Sequence, residues 1–103
     1  MIKLIALYKR PEDPEAFMRH YREVHTPLTR RLPGLQALVV NSVTADAFGN
    51  EPEYALIAEM HFADRNAFTS AMRSPENKAL AEDLSGFAAG LATVLVTDSE
   101  EVG

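Results

Sequence analysis

Between Ile2 and Lys9 the chain alternates: Leu4, Ala6 and Tyr8 fall on one side of an extended segment, and Lys3, Ile5, Leu7 and Lys9 on the other. Large apolar residues stand on both sides, which predicts a strand covered on both faces. Arg10-Pro11-Glu12 breaks it. Asp13, Pro14 and Glu15 then supply the cap, the first-position proline and the dipole-facing acid of a helix start. The helix is predicted over 14 to about 31, with Phe17, Tyr21, Val24 and Leu28 as its inward stripe and Leu32 just beyond. Arg19, Arg22, Glu23 and Arg30 lie away from the stripe and face water. On a wheel of 3.6 residues per turn His25 sits about 60° from the stripe centre, at the core border, and His20 on the opposite, wetter border. Pro27 disfavours helical geometry at Thr26 and removes a donor, so a kink or change of pitch is expected just after His25.

Pro33-Gly34 turns the chain into a second strand, 35 to about 44, and a loop over 46–52 follows. Tyr54–Phe62 is a third strand with Tyr54, Leu56, Ala58, Met60 and Phe62 on one face and Ala55, Ile57, Glu59 and His61 on the other. Asp64 caps a short helix carrying Phe68, Ala71 and Met72. Ser74-Pro75-Glu76 starts another, with Leu80, Leu84 and Phe87 as its stripe. A last strand spans 91–97. The domain is set at 1–98, with an acidic tail over 99–103 expected to fray.

The order β-α-β-β-α-β is the split βαβ arrangement, an α+β ferredoxin-like fold with an antiparallel sheet and its helices on one face. The other face would carry Ile5, Leu7, Ile57 and two valines of the fourth strand, too much apolar surface to leave wet. A second copy packed sheet to sheet is the expected cover, with Lys3 and Lys9 near Glu59 and His61.

Composition narrows the function. At 103 residues the chain is one domain that buries roughly two thirds of its unfolded surface, a size that often gains stability by association. A net charge of −5 argues against nucleic-acid binding. Absence of cysteine removes disulfides, thiolate nucleophiles and Cys-ligated metals. The first nine residues are too short and charge-interrupted for a signal peptide or membrane span, so a cytoplasmic protein is expected. His20, His25 and His61 lack metal-ligand spacing, so no metal is expected. Gly-rich phosphate-binding motifs are missing, so no tightly held nucleotide or other cofactor is expected either.

Arg10-Pro11-Glu12-Asp13-Pro14-Glu15-Ala16-Phe17, Tyr21-x-x-x-His25-x-Pro27-Leu28, Pro33-Gly34-Leu35 and Phe62-Ala63-Asp64 together resemble the EthD family of dimeric α+β barrel proteins, over nearly the whole chain. The resemblance implies a homodimer with a ligand cleft in each subunit between sheet and helices. The family is named for a role beside a cytochrome P450 system in ether degradation. Similar polyketide cyclases carry histidines where this chain has Leu56 and Ser74, so that chemistry is not implied. Close relatives show Asp-x-x-Asn-aromatic-Thr near the end. Here the run is Asp83-Leu84-Ser85-Gly86-Phe87-Ala88, which implies a lost polar contact.

His25 is the candidate acid or base, against the alternative of a helix-end histidine donating to a free carbonyl. Tyr8 and Tyr21 are candidate ligand-binding hydroxyls or plain core, and Leu56, Met60 and Phe87 candidate cleft lining. His61 is expected to pair across strands on the open face. Two functions stay open: an enzyme acting on a hydrophobic, oxygenated small molecule, or a binding and carrier module accessory to a partner oxygenase of the cytochrome P450 type. A structural dimer with a filled cleft is a third.

Overall fold

Strands β1 (Ile2–Lys9), β2 (Ala37–Ser42), β3 (Tyr54–Phe62) and β4 (Ala92–Asp98) form one sheet in the order β2-β3-β1-β4, every neighbouring pair antiparallel. The computed structural model describes residues 1–103. Between the strands run α1 (Pro14–His20), a π-helical turn (Tyr21–His25), α2 (Thr26–Arg30), α3 (Arg65–Met72) and α4 (Pro75–Phe87). This is the ferredoxin-like arrangement.

Local chemistry sets the boundaries. The Asp13 carboxylate accepts from Ala16 N at 3.1 Å, Asp64 from Ala67 N at 2.8 Å, and the Ser74 hydroxyl from Asn77 N at 3.1 Å, so each cap stands where the sequence places it. Pro14 and Pro75 open their helices, where a missing N–H costs nothing. Gly34 turns the chain after α2 with φ +75°, a conformation that L side chains rarely adopt. The second and fourth strands begin and end one or two residues from the expected positions.

One face of the sheet holds the core. Ala6, Tyr8, Leu56, Ala58, Met60 and Phe62 pack there against Phe17, Tyr21, Leu32, Ala71, Leu80 and Ala88 from the helical layer. Phe62 is fully buried, edge-on to Phe68 with ring centroids 5.7 Å apart. Burial of a side chain this size stabilises by about 1.5–3 kcal/mol.

The open face departs from expectation in one respect. The β1–β4 register sets Leu4 opposite Val96 and Ala6 opposite Val94, so both valines turn to the helix side. Leu95, opposite Ile5, takes the open face instead and is 51% exposed. Beside it lie Ile5, Leu7, Ile57 and Val39, with Glu59 at the centre of a polar group. Glu59 accepts from Asn41 Nδ2 at 3.0 Å and meets His61 Nε2 at 3.2 Å and Lys3 Nζ at 3.5 Å. The Asn41 hydrogen bond leads the contributions that, against burial, hold the Glu59 carboxyl below the usual range. Lys9 turns away, to Glu53 at 4.0 Å.

The first helical segment differs most. Its inward row is Phe17, Tyr21, His25, Thr29 and Leu32, all buried, whereas Val24 is 40% exposed and Leu28 only partly covered. The cause is the π turn, closed by Thr26 N bonding to Tyr21 O five residues back. A wider turn takes nearly one more residue to come round, so the inward row shifts by one position beyond Tyr21. The change of pitch therefore precedes His25 rather than following it, and carries His25 from the border into the core.

Candidate active site

The π turn decides the geometry of the site. In a regular α-helix, residues five apart point about 140° away from each other. Here His20 closes α1 and His25 closes the π turn, and both rings reach one carboxylate on α4. His20 Nε2 lies 2.8 Å from Asp83 Oδ1, and His25 Nδ1 lies 2.8 Å from Asp83 Oδ2. Asp83 stands three residues after Leu80 on the inward face of α4, with its side chain 16% exposed. His20, expected in water, is thus half of a His-Asp-His bridge. The His25 ring meets a carboxylate, not a free carbonyl. The His25 carbonyl is taken by the Thr29 hydroxyl, donating at 2.9 Å.

Charge follows from this geometry. Burial pushes Asp83 upward, but the hydrogen bonds from His25 and His20 outweigh it and hold the carboxyl below its usual range. Burial dominates at His25 and lowers its pKa, although Asp83 pulls the other way. At neutral pH the pair is therefore a carboxylate and a neutral imidazole. With Nδ1–H donating to Asp83, the lone pair of His25 lies on Nε2. A buried imidazole held in one tautomer by a carboxylate keeps the lone pair of its other nitrogen free.

An aromatic shell surrounds the bridge. The Phe87 ring centroid lies 4.6 Å from that of His20 and 4.9 Å from that of His25, and the Tyr21 ring is 5.6 Å from His25. Tyr8 stands edge-on to Tyr21 at 5.7 Å and to Phe17 at 5.6 Å. Burial first, then the charges of Tyr21 and Asp83, raises the Tyr8 pKa, and burial pushes Tyr21 up to about 12. Both phenols stay protonated. Neither hydroxyl, nor His25 Nε2, has a hydrogen-bond partner in the protein. No side-chain nitrogen or oxygen is sealed off without one, so all three atoms touch accessible space.

Tyr8, Tyr21, His25 and Phe87 thus come together. Leu56, opposite Tyr8 in the sheet, lies beneath them in the core, whereas Met60 pairs with Leu4 about 13 Å further along β3. Sequence reasoning missed Asp83 and His20. The available signal was an acid on the apolar face of α4, three residues after Leu80. A cavity of about 520 Å³ opens beside the cluster, at the ends of β1 and α4, with His20 and Phe87 in its wall. No group of three or more His, Cys, Asp or Glu side chains is arranged to hold a metal ion. No helix is long and apolar enough to cross a membrane.

Comparison with known proteins matches the EthD domain to residues 9–90 of this chain. The chain belongs to the EthD family. A Rhodococcus erythropolis protein described as an uncharacterized 11.0 kDa protein of the thcB-thcC intergenic region is 32% identical over 102 residues, covering 99% of this chain and 98% of its own. The crystal structure of an EthD family protein from Bacillus halodurans c-125 superposes with a TM-score of 0.92 at 39% identity, over 97% of this chain and 99% of that one. At 13% identity, SnoaB, a cofactor-independent oxygenase from Streptomyces nogalater, shares the fold alone, with a TM-score of 0.70 over 98% of this chain and 95% of that one. Asp83 and Phe87 both fall inside the matched EthD segment.

Proposed function

We propose that this EthD protein is an enzyme that removes a proton from a hydrophobic, oxygen-bearing small molecule, without a resident cofactor. The observation that carries this reading is the 2.8 Å contact of His25 Nδ1 with Asp83, which leaves Nε2 as an unpartnered acceptor in a nearly dry site. Asp83 orients the ring and offsets the charge that His25 gains. The Tyr8 and Tyr21 hydroxyls are the donors available to a substrate oxygen, and the oxygenase chemistry named for SnoaB supports catalysis on this fold without a cofactor.

A substrate screen followed by a pH–rate profile tests the assignment. Activity should rise through a pKa below 6.5, the ordinary histidine value, and be flat by neutral pH, because only neutral His25 accepts a proton. His25→Ala should lower turnover by about 10²–10⁴-fold. A wild-type rate in that variant, or a profile without an acid limb, sinks the role.

A second reading, a carrier module serving a partner oxygenase, is favoured by the exposed position of the cavity wall, where His20 rather than buried His25 meets solvent. A carrier would bind its molecule and return it unchanged.

The same reading makes the protein a cytoplasmic homodimer joined through the open sheet face. Support comes from the apolar group Ile5, Leu7, Val39, Ile57 and Leu95, and from Glu59, whose charge is already partnered within the face. Native mass spectrometry should give twice the chain mass. Leu95→Asp should give the monomer, since an unpaired carboxylate buried between two sheets costs several kcal/mol. A monomeric wild type overturns the dimer.

A further inference from the structure

The cavity beside the histidine bridge has a composition of its own. Phe17 and Phe87, with ring centroids 5.2 Å apart, form an aromatic wall, and the half-exposed His20 ring lies against Phe87. Its volume of about 520 Å³ falls within the range that holds a molecule of two or three fused rings. Its rim carries Arg10, Glu12 and Asp13. The Arg10 guanidinium is engaged by the Glu51 carboxylate, and one Asp13 oxygen is held by Ala16 N. Carboxylates therefore outnumber the single, already paired cation, and Asp83 adds a further negative charge behind His20. Such a rim repels an anion and offers acceptors to a hydroxyl. A second concavity of similar size, along Pro14, Met18 and Arg22, is walled by one polar helix surface and reaches none of these rings.

We infer that this cavity binds an uncharged, planar aromatic molecule bearing a hydroxyl group, stacked against Phe87 and Phe17 with His20 as its nearest polar contact. Carboxylate analogues of the same ring are excluded by the acidic rim. His20, tethered by Asp83, then has a second purpose besides the bridge: it presents a fixed ring edge to whatever occupies the cavity. This names a ligand class for the cavity that adjoins the site proposed above, the two sharing the His20–Asp83 contact and the Phe87 ring, and its binding does not rest on that reading.

The test is equilibrium titration with 2-naphthol and 2-naphthoate, matched in ring and different in charge at neutral pH. It uses the wild-type protein and three variants, with thermal unfolding as a check on folding. The naphthol should bind, with the naphthoate at least about ten-fold weaker. Ala16→Phe, at an exposed position on the cavity wall, should weaken naphthol binding by about ten-fold or more by filling the space. Glu12→Lys should narrow the gap between the two ligands. Arg22→Ala, on the second concavity away from these rings, should leave naphthol affinity unchanged within about two-fold. Equal or tighter naphthoate binding, no binding of either probe, or naphthol binding indifferent to Ala16→Phe overturns the inference. Naphthol binding as expected in the wild-type protein, while His25 proves dispensable for turnover, sinks the proton-transfer reading and leaves this one standing.

Discussion

Asp83→Asn should lower turnover by about 10²–10⁴-fold while costing no more than about 1–3 kcal/mol of stability. The carboxylate now accepts from both histidines, one on each oxygen. An amide of the same shape offers one acceptor and one donor, so it cannot satisfy both rings in their present tautomers. With its nitrogen toward His25, Nδ1 must become the acceptor and Nε2 the donor, and the base is gone. With its oxygen toward His25 the tautomer survives, but the charge that stabilises an imidazolium does not. Asp83 holds the His25 pKa up against burial, so its loss moves the acid limb of the pH–rate profile to lower pH. A lower plateau together with that shift marks a positioning role. An unmoved limb at the wild-type plateau would reduce Asp83 to a structural group.

Tyr8→Ala is expected to cost about 3–5 kcal/mol, a large part of the roughly 5–15 kcal/mol that holds a domain folded. Tyr8 is 1% exposed and contacts Phe17, Tyr21 and Phe87, so truncation leaves a cavity that the surrounding rings cannot close. Tyr8→Phe keeps the ring and should cost less than about 1 kcal/mol, because the lost hydroxyl has no partner in the protein. The same substitution should weaken an oxygen-bearing ligand by about 1–3 kcal/mol if the hydroxyl donates to it. Chemical denaturation measures the first pair of values and ligand titration the last. Wild-type ligand affinity in Tyr8→Phe would assign Tyr8 to the core alone.

Much of the scaffold was legible because its signals are local. Asp13, Asp64 and Ser74 cap where their side chains can reach the first free N–H groups, and the alternation of β3 fixes its two faces without reference to anything else. The β4 valines were not legible. A strand of Leu, Ala, Thr, Val, Leu, Val and Thr is apolar on both sides, so only its register against β1 decides which residues face the helices. The candidate site was half legible. Tyr8, Tyr21 and Phe87 lie on inward stripes and His25 on their border, but the His20–Asp83–His25 bridge depends on a turn that the regular wheel excludes. Pro27 marked the neighbourhood of that turn without giving its position.

The π turn makes the first helical segment one residue longer than its span requires, like a single inserted residue absorbed without a bulge in the chain's path. Everything before Tyr21 is set by one helical phase and everything after His25 by another, and only their mismatch lets two histidines meet one carboxylate. The bridge is thus encoded by helical pitch as much as by residue identity. A homologue with the same His, Asp and His at the same spacing but a regular α-helix through this span would keep every chemical group and set the two rings about 140° apart, losing their convergence.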